Sequence, residues 1–292
     1  DLIECYQKIY DKKVEKELAE ARESVKKYDW KLVNETWDNF IQSIPAQTLE
    51  EKFGFHSQVN KFETTLKPCF DPASIIICTK EKPELLREVI NGIKRTVSGQ
   101  HEIIIHDTGS KSDMSKALLK KYEEEELNIR IIRSEPTRFN FSKANNEAVK
   151  IAKYDNIIFL NNDITMANIS NNWLELLMAA IKLPEVGIAG PKLLFPNGII
   201  QHAGLMLGIN GLANHIYIGR PNNYPAACYN REVTAVTGAC IAIMKEVFNE
   251  IGGFDERYII EFQDVDLCLK VTARGYKVLY VAYAILIHHT AA

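Results

Sequence analysis

No G-x-G-x-x-G motif follows the first apolar run of the main region, and no G-x-x-x-x-G-K-[ST] occurs anywhere in the 292 residues. The dinucleotide fingerprint and the P-loop are therefore both excluded. Basic residues do not exceed acidic ones (35 Lys+Arg against 38 Asp+Glu, net charge -3), so no electrostatic footprint for nucleic acid is present. No apolar run reaches the roughly 18 residues that span a bilayer. The opening Asp1-Leu-Ile-Glu has no basic segment leading into an apolar one, so no signal peptide is read there. It also has no Met, which points to a processed chain or an excised piece. The six cysteines form no CxxC pair. Several sit in apolar runs, as expected of reduced core thiols in a cytoplasmic protein.

What remains is an ordinary soluble composition, 46% hydrophobic and 25% charged, long enough for a full core and an appendage. Residues 1–66 read differently from the rest. Ile3, Tyr6, Tyr10, Val14, Leu18, Ala21, Val25 and Tyr28 recur at three- and four-residue steps, the stripe of an amphipathic helix. Asp29 opens a second helix that Pro45 ends, and Thr48-Leu-Glu-Glu51 is a capping box for a third. The segment carries no catalytic constellation. It is expected to be a helical extension packed on residues 67–292 or on a neighbouring module. Its polar face is mixed in sign, which argues against a membrane-surface helix.

From Ala73 the pattern alternates strand and helix. Ser74–Thr79, Glu102–Asp107, Asn128–Ile132 and the run ending at Asp163 read as strands. Helices follow from Pro83, from Ser112 and from a cap at Ser142. Such alternation predicts right-handed crossovers and a parallel sheet. Trp173–Ile181 continues as a helix, Val186–Gly190 as a strand, Asp264–Ala273 as a helix that Asp264 could cap, and Lys277–Val281 as a last strand. Residues 196–232 read as a long irregular excursion with His202, His215, Tyr217, Arg220 and Arg231, either a substrate-lining loop or a plain surface loop. Its two histidines have no partner at ligand spacing and are read as ordinary polar-loop residues.

The stretch Asn156-Ile-Ile-Phe-Leu-Asn-Asn-Asp163 organises the rest. A β-branched and aromatic run ends in a polar tip, as a buried parallel strand does. Ligands bind at the carboxyl ends of such strands. Asp163 there offers a hard oxygen suited to Mg²⁺ or Mn²⁺.

Three ordered stretches resemble family 2 of the inverting glycosyltransferases. The first pairs Ile75-Ile-Ile-Cys-Thr79 with Ile104-Ile-His-Asp-Thr-Gly-Ser110. The second is Phe139-Asn-Phe-Ser-Lys-Ala-Asn-Asn146 leading to Phe159-Leu-Asn-Asn-Asp-Ile164. The third runs from Thr237-Gly-Ala-Cys240 through Gly252-Gly-Phe-Asp-Glu256 and Gln263-Asp-Val-Asp-Leu-Cys-Leu269 to His288-His289. The resemblance covers about residues 73 to 289 and is nearest to rhamnosyltransferase-like enzymes of bacterial surface polysaccharide (O-antigen) synthesis. It implies an α/β GT-A fold with a mostly parallel central sheet, the helical segment preceding it.

The resemblance also implies roles. Thr79, Glu81 and Asp107 match the nucleotide pocket, Lys143 and Asn145 the segment beside the diphosphate, and Asn161-Asn162-Asp163 the metal-binding triplet. Asp264 matches the general base and His288 the late histidine that completes the metal site. Thr237, Gly238 and Asp266 are candidates for acceptor contact. The implied partners are a UDP-, dTDP- or GDP-linked sugar donor and a glycan or lipid-linked acceptor, with Mn²⁺ or Mg²⁺ as cofactor. An adjacent glycosyltransferase module or association with the inner face of a membrane is also implied. There are departures. The triplet holds one carboxylate, and Gln263 stands where the family has Glu. Glu261 is the substitute base, and the family continues where this chain stops, so a C-terminal lid or partner domain is expected to be missing. Two rivals stay open. A sugar nucleotidyltransferase would need a Gly-rich loop, and Thr79-Lys-Glu-Lys-Pro83 has no Gly. The other is a catalytically silent module of a polysaccharide-assembly complex.

Overall fold

The computed structural model describes residues 66–135, 139–167, 171–207, 213–259 and 261–289. The expected helices of the N-terminal segment fall in residues 1–65, outside the described residues.

The first half alternates as its pattern predicts: β1 (Ala73–Thr79), α1 (Pro83–Thr96), β2 (His101–Asp107), α2 (Asp113–Glu125), β3 (Ile129–Arg133), α3 (Phe141–Ile151) and β4 (Asn156–Leu160). A short β5 (Ile164–Met166) and α4 (Trp173–Ile181) lead to β6 (Val186–Leu194). Then come β7 (Ile200–His202), β8 (Leu205–Leu207), β9 (Ala213–His215) and β10 (Arg231–Glu232). The chain continues through β11 (Cys240–Met244), α5 (Lys245–Glu250), α6 (Gln263–Ala273) and β12 (Lys277–His288).

The main sheet runs β10-β12-β6-β11-β4-β1-β2-β3. Strands β4, β1, β2 and β3 are mutually parallel. β11 then enters antiparallel to both β4 and β6, and β6 and β12 are parallel again. Helices cover both faces. Ile75, Ile77, Ile103 and Ile105 pack with α1, α2 and α4, while Ile76, Ile104, Ile157 and Phe159 pack with α3, α5 and α6. Successive strand residues point to opposite faces, so strands buried on both sides need uninterrupted apolar runs. Each fully buried Ile or Phe contributes about 1.5–3 kcal/mol, and these side chains are wholly buried. The five described cysteines are free, with Cys240 and Cys268 buried.

Four expectations are corrected. α3 is capped by Asn140, whose side chain accepts from Lys143 N–H at 2.9 Å. Ser142 is not the cap, because it lies inside the first turn, where its hydroxyl donates to Tyr258 O at 2.6 Å. α6 starts at Gln263 after Phe262, so Asp264 lies inside its first turn and is not the cap. β12 does not stop at Val281; it passes a register shift between Val281 and Ile285 and runs to His288. Residues 196–232 are not irregular throughout, since β7, β8, β9 and β10 lie within them. Periodicity misses such two- and three-residue strands because they are shorter than any readable pattern.

Candidate active site

β4 ends at Leu160, and the chain turns through Asn161, Asn162 and Asp163 into β5. Asn161 N–H donates to Ala239 O at 2.9 Å, which ties this turn to the segment before β11. Asn162 Nδ2 donates to Thr79 Oγ1 at 3.1 Å, which ties it to the end of β1. β12 brings His288 opposite Ile164. A cavity of ≈ 320 Å³ results, lined by Asn161, Asn162, Asp163, Thr237, Gly238, Asp264 and His288, with Cys78, Phe139, Phe141, Ala239 and Gln263. Asp163, Asp264 and His288, up to 125 residues apart, thus share one cleft at the sheet's end.

His288 is held from behind by Gln201. Gln201 Oε1 lies 2.7 Å from His288 Nδ1, and Gln201 Nε2 donates to His288 O at 3.2 Å. Both bonds are satisfied only when Nδ1 carries the hydrogen, which leaves the Nε2 lone pair of the neutral ring free. That nitrogen lies 3.2 Å from Asp163 Oδ1, a buried oxygen with no aligned hydrogen-bond donor. Two acceptors face each other, an arrangement that a cation between them would relieve. Burial raises the Asp163 pKa, but a protonated His288, donating from Nε2, outweighs it and holds the carboxyl below its usual range; the facing lone pairs belong to the neutral ring. His289 turns away and pairs its Nε2 with Thr165 Oγ1 at 2.9 Å.

Asp264 is fixed by two backbone donors, Gly238 N–H at 2.7 Å and Val265 N–H at 2.9 Å. Phe262 just before it adopts φ 64°, a left-handed conformation that costs a non-Gly residue of order 1–3 kcal/mol. The loop leading there is gripped by the start of α3. Asn140 Nδ2 donates to Glu256 O, Ser142 Oγ to Tyr258 O and Phe141 N–H to Ile259 O. Asn146 bonds both the N–H and the carbonyl of Phe254. The Phe139–Asn146 motif therefore positions the approach to Asp264.

The remaining sequence candidates lie elsewhere. Glu261 is exposed and Asp266 pairs with Lys270 at 2.8 Å; neither lines the cleft among the described residues. Asp107, at the end of β2, accepts from Ser110 N–H at 3.0 Å and Ser110 Oγ at 2.6 Å. Glu81 accepts from Lys111 N–H and from the Ser112 and Ser115 hydroxyls at the start of α2. The Ser112 bond leads in drawing its pKa from 4.5 to about 2, with the Lys111 N–H next. Asn145 is buried and donates to Phe141 O at 2.9 Å. Lys143 lines a separate cavity of ≈ 250 Å³ with His106, Ser134 and Glu147. Gln201 and the His202–His215 contact were missed. Their only trace in the sequence is the pair Gln201-His202 in a Gly- and Asn-rich stretch, which names no partner.

This architecture is that of GT-A glycosyltransferases. A crystal structure of GalNAc-T7 with UDP, GalNAc and Mn²⁺ superposes with TM-score 0.62 at 19% identity, over 75% of this chain and 44% of that one. The chain belongs to Glycosyl transferase family 2, which it matches over residues 74–252. It is 35% identical over 225 residues to the O-antigen biosynthesis protein RfbC of Myxococcus xanthus, covering 75% of this chain and 17% of RfbC. It is 26% identical over 211 residues to N-acetylglucosaminyl-diphospho-decaprenol L-rhamnosyltransferase of Mycobacterium tuberculosis, 65% of this chain and 66% of that protein. The chain spans between about a sixth and a quarter of the two longer curated relatives it matches (17% and 24%).

Proposed function

We propose that this domain is a metal-dependent, inverting glycosyltransferase. It would move a sugar from a nucleotide-diphosphate donor to a hydroxyl of a glycan or lipid-linked glycan during surface polysaccharide synthesis. The observation that carries this reading is the convergence of Asp163, His288 and Asp264 on one cleft. The surface-polysaccharide setting rests on the two named relatives. Free cysteines, Cys240 and Cys268 of them buried, suit a cytoplasmic setting. No helix among the described residues is long and apolar enough to cross a membrane.

Asp163 and His288 fit a divalent ion, because their facing lone pairs stand 3.2 Å apart in the cleft. Among the described residues no third carboxylate, Cys or His joins them. Mg²⁺ and Mn²⁺ sites commonly use few protein ligands and take the rest from substrate phosphates and water. When bound, such an ion supplies charge neutralisation for the departing diphosphate. The chain's own residues do the remainder. Gln201 holds His288 in the tautomer that presents Nε2. Gly238 and Val265 N–H orient the Asp264 carboxylate. An acceptor hydroxyl beside Asp264 gives up its proton to that carboxylate as its oxygen attacks the anomeric carbon. The bond to the diphosphate breaks as the new one forms. One displacement inverts the centre, and no covalent intermediate with the protein is required.

Calorimetry with UDP, dTDP and GDP, with and without Mn²⁺, tests the first half of this reading. Metal-dependent binding of one nucleotide is expected. Binding of none would leave the silent module standing. Mass analysis of nucleotide-sugar reactions tests the second half: a sugar transferred or released with free nucleoside diphosphate is expected. Release of sugar 1-phosphate instead, or of pyrophosphate when a nucleoside triphosphate and sugar 1-phosphate are supplied, would indicate nucleotidyl transfer.

A further inference from the structure

His202 and His215 stand outside the lining of this cleft, His215 within electrostatic reach of Asp264, and the mechanism above does not use them. His202 is fully buried. Its Nδ1 is 3.0 Å from His215 Nδ1, and the rings meet edge to face, 5.0 Å between centroids. Gly204 N–H donates to His202 Nε2 at 3.2 Å. A nitrogen that accepts carries no hydrogen, so in the neutral ring the hydrogen of His202 is on Nδ1. That hydrogen must then point at His215 Nδ1, which accepts it. The hydrogen of neutral His215 is consequently on Nε2. One backbone N–H thus sets the tautomers of two rings in series. Burial, with the Arg231 charge nearby, keeps His202 from protonating and breaking the series.

The pair is anchored into the site on two sides. Gln201, adjacent to His202, holds His288. Leu205 stands opposite His215 in the β8–β9 hairpin and bonds Ala235 N–H and C=O. Two residues beyond Ala235 begin Thr237 and Gly238, whose N–H fixes Asp264. The His215 ring lies within electrostatic reach of the Asp264 carboxylate. It is only partly buried, and among the described residues its Nε2 meets no acceptor.

We infer that His215 is a preset hydrogen-bond donor to an oxygen of the acceptor sugar, and that His202 is a positioning residue that holds it in the donating tautomer. This rests on the transferase reading. It gives the cleft complementary polar groups: a carboxylate to take the proton of the attacking hydroxyl, and an imidazole N–H to hold a neighbouring hydroxyl. A site built to bond a hydroxyl discriminates against the deoxy analogue, which leaves its polar group unpaired.

Two measurements test it on the full chain at neutral pH. Long-range ¹H–¹⁵N spectra of the imidazoles should show His202 with hydrogen on Nδ1 and His215 with hydrogen on Nε2. In His202→Phe the His215 signals should shift toward a tautomer average. His215 with its hydrogen on Nδ1, or an unchanged His215 in His202→Phe, would overturn the inference. The second measurement uses nucleotide sugars with Mn²⁺, water or octyl glycosides being the acceptor. His215→Phe should raise the glycoside KM and lower the ratio of transfer to hydrolysis, each by about three- to tenfold, the range of one lost neutral hydrogen bond. His215→Gln, which keeps an N–H donor, should recover most of both. A glycoside KM equal to wild type, or transfer and hydrolysis falling in parallel, would remove His215 from acceptor binding. A wild type that neither transfers nor hydrolyses would sink the transferase reading instead, while the spectra would still decide the tautomers.

Discussion

The carboxylates of the α/β core are held in two opposite ways. Asp107, Glu81 and Glu102, on the side of β1 and β2, have their oxygens filled by nearby N–H and O–H donors. Asp163, on the side of β4 and β12, has a buried oxygen turned toward a histidine lone pair. Asp264 is oriented by backbone donors but opens on a cleft. A carboxylate with all its bonds made serves as a cap or a brace. One left with an acceptor facing the cleft is available to a proton or a cation. Activity should therefore be concentrated at the open carboxylates and stability at the filled ones.

The largest effect expected is at Asp264. Asp264→Asn should reduce turnover by about 10²–10⁴-fold, the usual contribution of a general base, while calorimetric nucleotide affinity stays as in wild type. Unchanged turnover would move the base to Glu261. Next comes the pair around His288. Asp163→Asn should abolish the Mn²⁺ dependence of nucleotide binding. Gln201→Leu, which releases the His288 ring, should weaken Mn²⁺ binding about 10- to 100-fold, read by titration without turnover. Equal Mn²⁺ affinity would mean that His288 does not bind the ion.

At the filled carboxylates the readout changes. Glu102 accepts from Ser74 Oγ and Lys153 N–H and pairs with Arg130. Glu102→Leu leaves buried donors unmade and should cost about 1–3 kcal/mol in urea unfolding, with nucleotide affinity unaltered. A loss of affinity without a loss of stability would reverse the comparison. The smallest effect is at Glu81. Its folded pKa is depressed from 4.5 to about 2, so its stabilising effect is full above pH 4.5 and is lost as pH falls toward 2. Glu81→Gln should flatten that acid limb of an unfolding curve, sitting slightly below wild type at neutral pH and meeting it near pH 2.

Much of the fold was legible before any coordinates. Runs such as Ser74–Thr79 and Glu102–Asp107 are continuous and apolar because both faces of those strands are covered, and the helices between them carry one apolar stripe. Period and polarity are local properties, and a chain displays them along its length. The ordered motifs likewise pointed to Asp163, Asp264 and His288 before their cleft was seen. Other features depended on bonds between distant residues. Asn146 grips Phe254 from 108 positions away, and Gln201 orients His288 from 87. The hydrogen on His215 is set by a backbone amide eleven positions earlier, acting through a second ring. Which oxygen stays open, and which tautomer a ring adopts, depends on what stands within about 3 Å. Only the closed sheet brings those atoms that near.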